Sequence, residues 1–118
     1  MDALQFGQRG EETAEAFLQK LGYQVLHRNF RTREGEIDLV ARDPLGSLIA
    51  VEVKSRKSIG FGYPECAVHI TKQQRLVRTA AHLLEVHYPQ ESIRFDVIAI
   101  IKNGNTTCIM HFLDAFRP

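Results

Sequence analysis

The chain has 118 residues, of which 44% are hydrophobic and 25% charged, with a formal net charge of +1. That length builds one domain, residues 1–118, around a single core and is too short for two; the composition is ordinary for a soluble globular protein. A balance so close to neutral excludes an overall basic nucleic-acid glue, so a nucleic-acid site must come from local clustering, and no apolar run approaches a membrane span. Cys66 and Cys108 stand far apart without metal-ligand spacing and no secretory signal opens the chain, so two reduced, buried thiols in a cytoplasmic protein are expected.

Residues 7–21 read as a helix. Ala14, Phe17, Leu18 and Leu21 form a stripe at helical spacing and Gly22 is a good stop. Glu11, Glu12 and Glu15 fall in its first half, where carboxylates favour the dipole. At about 100° per residue, Glu11 borders the buried face and Glu12 points to solvent. A dipole-complementing surface acid is the ordinary reading of Glu11. Residues 23–30 alternate as a strand and lead into the polar turn Arg31-Thr32-Arg33-Glu34-Gly35. Arg28, Arg31 and Arg33 make the densest basic cluster of the chain.

The next stretch organises the rest. Two runs of period-two alternation, Glu36–Arg42 and residues 48–54, flank Asp43-Pro44-Leu45-Gly46-Ser47, which suits a five-residue hairpin loop built on a type I turn. If Arg42 faces Leu48, cross-strand partners have numbers summing to ninety. One face then carries Ile37 with Val53, Leu39 with Val51 and Ala41 with Ile49. The other pairs Glu36 with Lys54, Asp38 with Glu52 and Val40 with Ala50. A slip of one residue would mix the two sets, so the apolar face pins the register. Glu36 and Lys54 read as a cross-strand ion pair, but like charges directly opposite destabilise a sheet. Two carboxylates roughly 5 Å apart repel by about 3 kcal/mol at an effective dielectric near 20. A divalent cation between Asp38 and Glu52 turns that repulsion into attraction, and oxygen-only ligands favour magnesium, manganese or calcium over zinc. Lys54, on the same face, would orient a metal-bound water or stabilise a developing oxyanion. Beside such a site the three arginines become candidates for phosphate contacts. The bland alternative is a half-exposed sheet with all four groups solvated.

Beyond the hairpin, residues 55–63 contain Arg56, Lys57, Gly60, Phe61 and Gly62, a glycine-rich loop expected at the mouth of the site. There Phe61 either stacks on a base or packs on the core. Pro64 opens a short segment. Thr71-Lys72-Gln73-Gln74 has capping-box spacing for a helix running to about His87, with Leu76, Val77, Ala80, Ala81, Leu83 and Leu84 inside. Lys72, Arg75, Arg78 and His82 decorate its surface; a solvated face and a phosphate-tracking face both explain them. The five histidines lack a paired metal-binding spacing and are read as non-ligands. Residues 92–101 form a β-branched strand, Asn103-Gly104 a hairpin turn, and Thr106–Phe112 the returning strand. Asp96 either pairs near Arg94 or supports the site from behind.

Asp38 followed by Glu52-Val53-Lys54 resembles the Asp…Glu-x-Lys signature of the restriction-endonuclease-like nucleases. The strings Gly10-Glu11, Gly22-Tyr23, Arg28-Asn29-Phe30-Arg31, Gly35-Glu36-Ile37-Asp38-Leu39 and Val51-Glu52-Val53-Lys54, with the closing Asp114-Ala115-Phe116, are similar to the YraN-like family of small bacterial proteins, related in fold to archaeal Holliday junction resolvases. The resemblance implies an α/β (α+β) sandwich with a mixed five-stranded sheet flanked by helices. It implies a Mg2+- or Mn2+-dependent endonuclease on branched or structured DNA, with a homodimer needed to cut two strands. Asp38 and Glu52 would hold the metal with Glu11 and the Val53 carbonyl, Lys54 would act on the water, and Glu36 would be a ligand or hold Lys54. Lys72 matches a lysine that the family carries after the hairpin; with Arg28, Arg31, Arg33, Arg56, Lys57 and Arg75 it completes the set expected on the nucleic acid. Two other classes stay open: a nucleic-acid-binding module with little or no hydrolytic activity, and a protein-interaction domain using a sheet edge.

Overall fold

The computed structural model describes residues 3–57 and 68–117, with side chains from Gln8 onward. Helix α1 (Ala3–Lys20) precedes strands β1 (Gln24–Arg31), β2 (Glu36–Arg42) and β3 (Leu48–Lys57); helix α2 (Ile70–His87) precedes β4 (Arg94–Asn103) and β5 (Thr106–Phe112). The five strands form one sheet in chain order. Every neighbouring pair is antiparallel except β3 and β4, which run parallel with α2 as the crossover that such a pair needs. This is the expected α+β sandwich with a mixed five-stranded sheet. The expected loop around Phe61, the segment opened by Pro64, and Cys66 lie outside the described residues. Among the described residues no helix is long and apolar enough to cross a membrane.

Local chemistry sets most boundaries. Helix α1 ends in a Schellman motif: Gly22 is left-handed at φ 88°, its N–H donates to the Gln19 carbonyl, and Tyr23 N–H donates to the Leu18 carbonyl. The β2–β3 loop closes as read. Gly46 N–H donates to the Asp43 carbonyl at 2.9 Å, and the Asp43 carboxylate accepts from the amides of Leu45 and Ser47. Arg42 does face Leu48, and the sum of ninety holds through Leu39 and Val51. Two local expectations shift. The Thr71 capping box does not form: α2 starts at Ile70 behind His69, which makes no side-chain cap, and Gln73 instead donates to the Val68 carbonyl. Val68 is buried against α2, so packing rather than the cap decides where the helix begins. The last hairpin pairs Asn103 with Thr106, so its turn residues are Gly104 and Asn105, with positive φ at Gly104 alone as a type II′ turn requires.

The sheet is covered on both faces, not on one. Leu48, Ala50, Phe95 and Val97 pack under α2 with Leu76, Ala80 and Leu83. The alternate residues Ile49, Val51, Ile98 and Ile100 pack under α1 with Ala14 and Leu18. A single polar face is therefore the wrong reading of the hairpin. The continuous apolar run Leu48–Val51 is the signature of a strand buried on both sides, and it outweighs the alternation seen in β2. Cys108 is exposed rather than buried, because it sits on β5 at the sheet edge.

Asp96, 1% exposed, resolves in favour of Arg94. The Arg94 guanidinium donates to both its oxygens at 2.8 Å, His111 Nε2 lies 2.8 Å from Oδ2, and the Asp114 amide donates to Oδ1. Burial pushes this carboxyl up, but the hydrogen bonds from His111, Arg94 and the Asp114 amide overcome burial and bring it from 3.8 to about 2. A depressed folded value means that its stabilisation, about 2 kcal/mol, is present above pH 3.8 and lost as pH falls toward 2. Urea unfolding from pH 2 to 6 should show that loss. Asp96→Ala, which strands the cations, should cost about 3–5 kcal/mol at pH 7 and flatten the acid limb.

Candidate active site

The β2–β3 ladder stops at Leu39 and Val51, one residue short of the acids. Beyond that point Val53 N–H donates to Asp38 Oδ2 at 2.8 Å, a side chain standing where a backbone partner would be expected. Alternation in β2 breaks at the same place: Leu39 lies in the α1-side cluster, while Ile37 joins Val40 on the α2 side. Asp38 and Glu52 are therefore not a regular cross-strand pair, and neither are Glu36 and Lys54 or Ile37 and Val53. They border an opening between diverging strands.

A glycine lets α1 reach this opening. A Cβ on Gly10 would lie 1.8 Å from Ser55 Oγ, so only glycine allows α1 to cross β3 there and deliver Glu11. At Gly35, beside α2, it is the positive φ of 155° that favours glycine, since a Cβ there would meet Thr79 Oγ1 at an ordinary 3.4 Å. From α2, Lys72 Nζ reaches Glu52 Oε1 at 2.5 Å. The result is a cleft of about 280 Å3 lined by Gly35, Glu36, Asp38, Glu52, Lys72, Arg75 and Leu76.

The electrostatics follow from burial of like charges. Glu52, 6% exposed, is pushed up to about 7 by burial and then by the Asp38 charge, against the pull of Lys72. Glu11 is also pushed up to about 7, by burial, by the charge of Asp38 and by a hydrogen bond to Asp38. Asp38 is raised by burial and by Glu36, and held back by Val53 N–H, Lys72 and that hydrogen bond with Glu11. The hydrogen bond between them raises Glu11 and lowers Asp38. Among the described residues no three His, Cys, Asp or Glu groups are gathered closely enough to make a ready-made metal cage; the acids meet in pairs.

The structure brings together Glu11, Asp38, Glu52, Glu36 and the Val53 backbone, with Lys54 half-buried two residues after Glu52 on β3. Lys72, expected on nucleic acid, instead neutralises Glu52, and Arg75 follows it along the cleft. The basic cluster is dispersed. Both ends of the Arg28 guanidinium are held by Glu15 of α1, and Arg31 Nε lies 3.3 Å from Glu36 Oε1. Arg33 is exposed, as are Arg56, which donates to the Ser55 carbonyl, and Lys57. Helix α1 supplied the acid that captures Arg28, a tertiary contact invisible along the strand. Asn29 was overlooked. It lies in β1 between the pairs Arg28–Leu39 and Phe30–Ile37, has φ 52°, and its amide nitrogen, turned to the cleft, donates to Glu36 and Glu11. An asparagine amid strand-forming residues was the available signal, since asparagine tolerates left-handed backbone.

A model of the uncharacterised protein family UPF0102 matches residues 10–100, a span that takes in Glu11, Asp38, Glu52, Lys54 and Lys72. The UPF0102 protein of Caldicellulosiruptor saccharolyticus is 41% identical over 104 residues, 87% of each chain. That of Thermodesulfovibrio yellowstonii is 40% identical over 116 residues, 98% of this chain and 99% of the relative. Among solved structures, a repair endonuclease from Pyrococcus abyssi is similar at TM-score 0.48 and 13% identity, over 80% of this chain and 38% of that one.

The raised acids predict a stability profile opposite to that of Asp96. A folded value above the ordinary 4.5 favours the neutral form, so the stability Glu52 contributes is full below pH 4.5 and lost as pH rises through about 7. Glu52→Gln cannot lose it. The variant should match wild type near pH 4 and exceed it above pH 7 by on the order of 2–3 kcal/mol. Chemical denaturation at pH 4, 7 and 8.5 measures the gap, and equal stability throughout would contradict the repulsion described here.

Proposed function

The chain belongs to the uncharacterised protein family UPF0102, the YraN-like family of the resemblance, and we propose that it is a metal-dependent nucleic-acid phosphodiesterase, an endonuclease acting on branched or otherwise structured DNA. One observation carries the reading: Asp38 and Glu52, from β2 and β3, line one cleft, with Val53 N–H on Asp38 and Lys72 on Glu52, and Glu11 of α1 is hydrogen-bonded to Asp38. An all-oxygen donor set under mutual repulsion fits magnesium or manganese. Asp38, Glu52 and Glu11 would hold the ion with the Val53 carbonyl. Bound there, it would supply Lewis-acid stabilisation of the scissile phosphate and a more acidic water.

The chain's own groups do the rest. Val53 N–H fixes the direction of the Asp38 carboxylate. Glu11, hydrogen-bonded to Asp38 with its proton affinity raised, would join the acids that hold the ion. Lys54 orients the attacking water. Lys72, paired with Glu52 in the free protein, and Arg75 beside it give the cleft a cationic wall for the phosphate chain. The branched-DNA preference, a homodimeric form and a cytoplasmic setting rest on the family resemblance.

A second reading is a nucleic-acid-binding module without hydrolytic activity. The Lys72–Glu52 ion pair favours it, because it compensates one acid with no metal. Labelled four-way junction, flap, duplex and single-stranded DNA, each incubated with Mg2+ or Mn2+, separate the two. Cleavage of at least one substrate is expected, with Asp38→Asn, Glu52→Gln and Lys54→Ala each at least about 100-fold slower. Cleavage indifferent to all three substitutions would mark a contaminant; salt-dependent binding without cleavage would establish the binding module.

A further inference from the structure

Opposite Asp38, in the middle of β1, the Asn29 backbone is left-handed while its neighbours Arg28 and Phe30 stay paired with Leu39 and Ile37. The ladder thus holds a strained residue from both sides. Asparagine bears this conformation better than other residues with a side chain, but still at a cost, and local strain of this kind concentrates at functional sites. What the conformation achieves is visible in the amide. With its nitrogen toward the cleft, the side chain donates to Glu36 Oε1 at 2.8 Å and to Glu11 Oε1 at 3.2 Å. A carboxylate from α1 and one from the start of β2 are tied to a third element.

Glu36 has a rival partner. Arg31 Nε lies 3.3 Å from the same Oε1, and the Arg31 side chain is 74% exposed, so its pull is toward solvent. Asn29 opposes that pull. Being neutral, it satisfies carboxylate lone pairs without cancelling their charge, as a lysine or arginine at the same place would. We propose that Asn29 is a positioning residue of the cleft: its left-handed backbone aims a neutral amide that holds Glu36 beside Glu11, and so adds Glu36 to the acids facing a bound divalent cation. The ion is taken from the metal site proposed above; the geometry does not depend on it.

Asn29→Gly tests this cleanly, because glycine relieves the backbone while removing the amide. The variant should unfold at the same or a higher urea concentration than wild type and yet bind Mn2+, measured by calorimetry, at least about tenfold more weakly. Its crystal structure should show Glu36 turned onto Arg31. Adding Arg31→Ala to Asn29→Gly should recover part of the affinity, and Arg31→Ala alone should not weaken binding. A merely structural asparagine would change stability and leave affinity alone, and Mn2+ affinity within twofold of wild type, or an unmoved Glu36, overturns the proposal. If the wild-type protein takes up no Mn2+, the metal reading falls. The position of Glu36 in the Asn29→Gly structure then decides this one separately: unmoved overturns it, turned onto Arg31 supports it.

Discussion

Buried like charge is the constraint on which this structure depends. Burial and then the Asp38 charge raise the proton affinity of Glu52, burial and Glu36 raise that of Asp38, and Glu11 adds another carboxylate from α1. Repulsion of this size, about 3 kcal/mol for a close pair, is large beside the 5–15 kcal/mol that hold a domain together. The fold tolerates it through compensators of different kinds: the hydrogen bond between Glu11 and Asp38, the Lys72 ammonium on Glu52, and the amides of Val53 and Asn29. Each of these leaves room for a stronger one. A site held in this state is complete as a fold and unfinished as an electrostatic arrangement.

Asp96 makes the contrast within the same sheet. It is buried at least as deeply, yet its oxygens are saturated by Arg94, His111 and a backbone amide, and its carboxyl is driven down rather than up. Burial alone therefore does not distinguish a structural acid from a reactive one; the sign of the remaining field does. The two acids also differ in their backbone setting. Asp96 faces Val51 in a regular parallel ladder, whereas Asp38 sits where β2 and β3 have parted and its own side chain caps a free N–H.

The parting of those strands connects fold to site. β3 is held on its far side by nine paired positions with β4, so it cannot follow β2 as that strand twists between Leu39 and Ile37. Near that gap α1 crosses β3 over Ser55, at the glycine that permits it. An aperture between strands, flanked by helices on both faces, collects side chains from β2, β3 and α2 into a few hundred cubic ångströms.

Much of this was written in the order of residue types. The turn chemistry of Asp43–Ser47, the Gly22 stop and the register through Leu39 and Val51 all follow from local rules, because turns, caps and hairpin pairing act over a few residues; Asp38 and Glu52 were singled out by their spacing, and Glu11 only by the family resemblance. What lay beyond those rules depended on contacts between distant segments. That both sheet faces are covered, that the ladder fails one residue before the acids, that Arg28 belongs to Glu15 and Lys72 to Glu52, and that Asn29 bends to meet two carboxylates are decisions of packing. The sequence by itself determined which groups could do chemistry, since side-chain type and near-neighbour spacing are properties of the chain. Only the tertiary structure decided which of them share one low-dielectric opening, since electrostatic partners there are chosen by distance through space and not along the backbone.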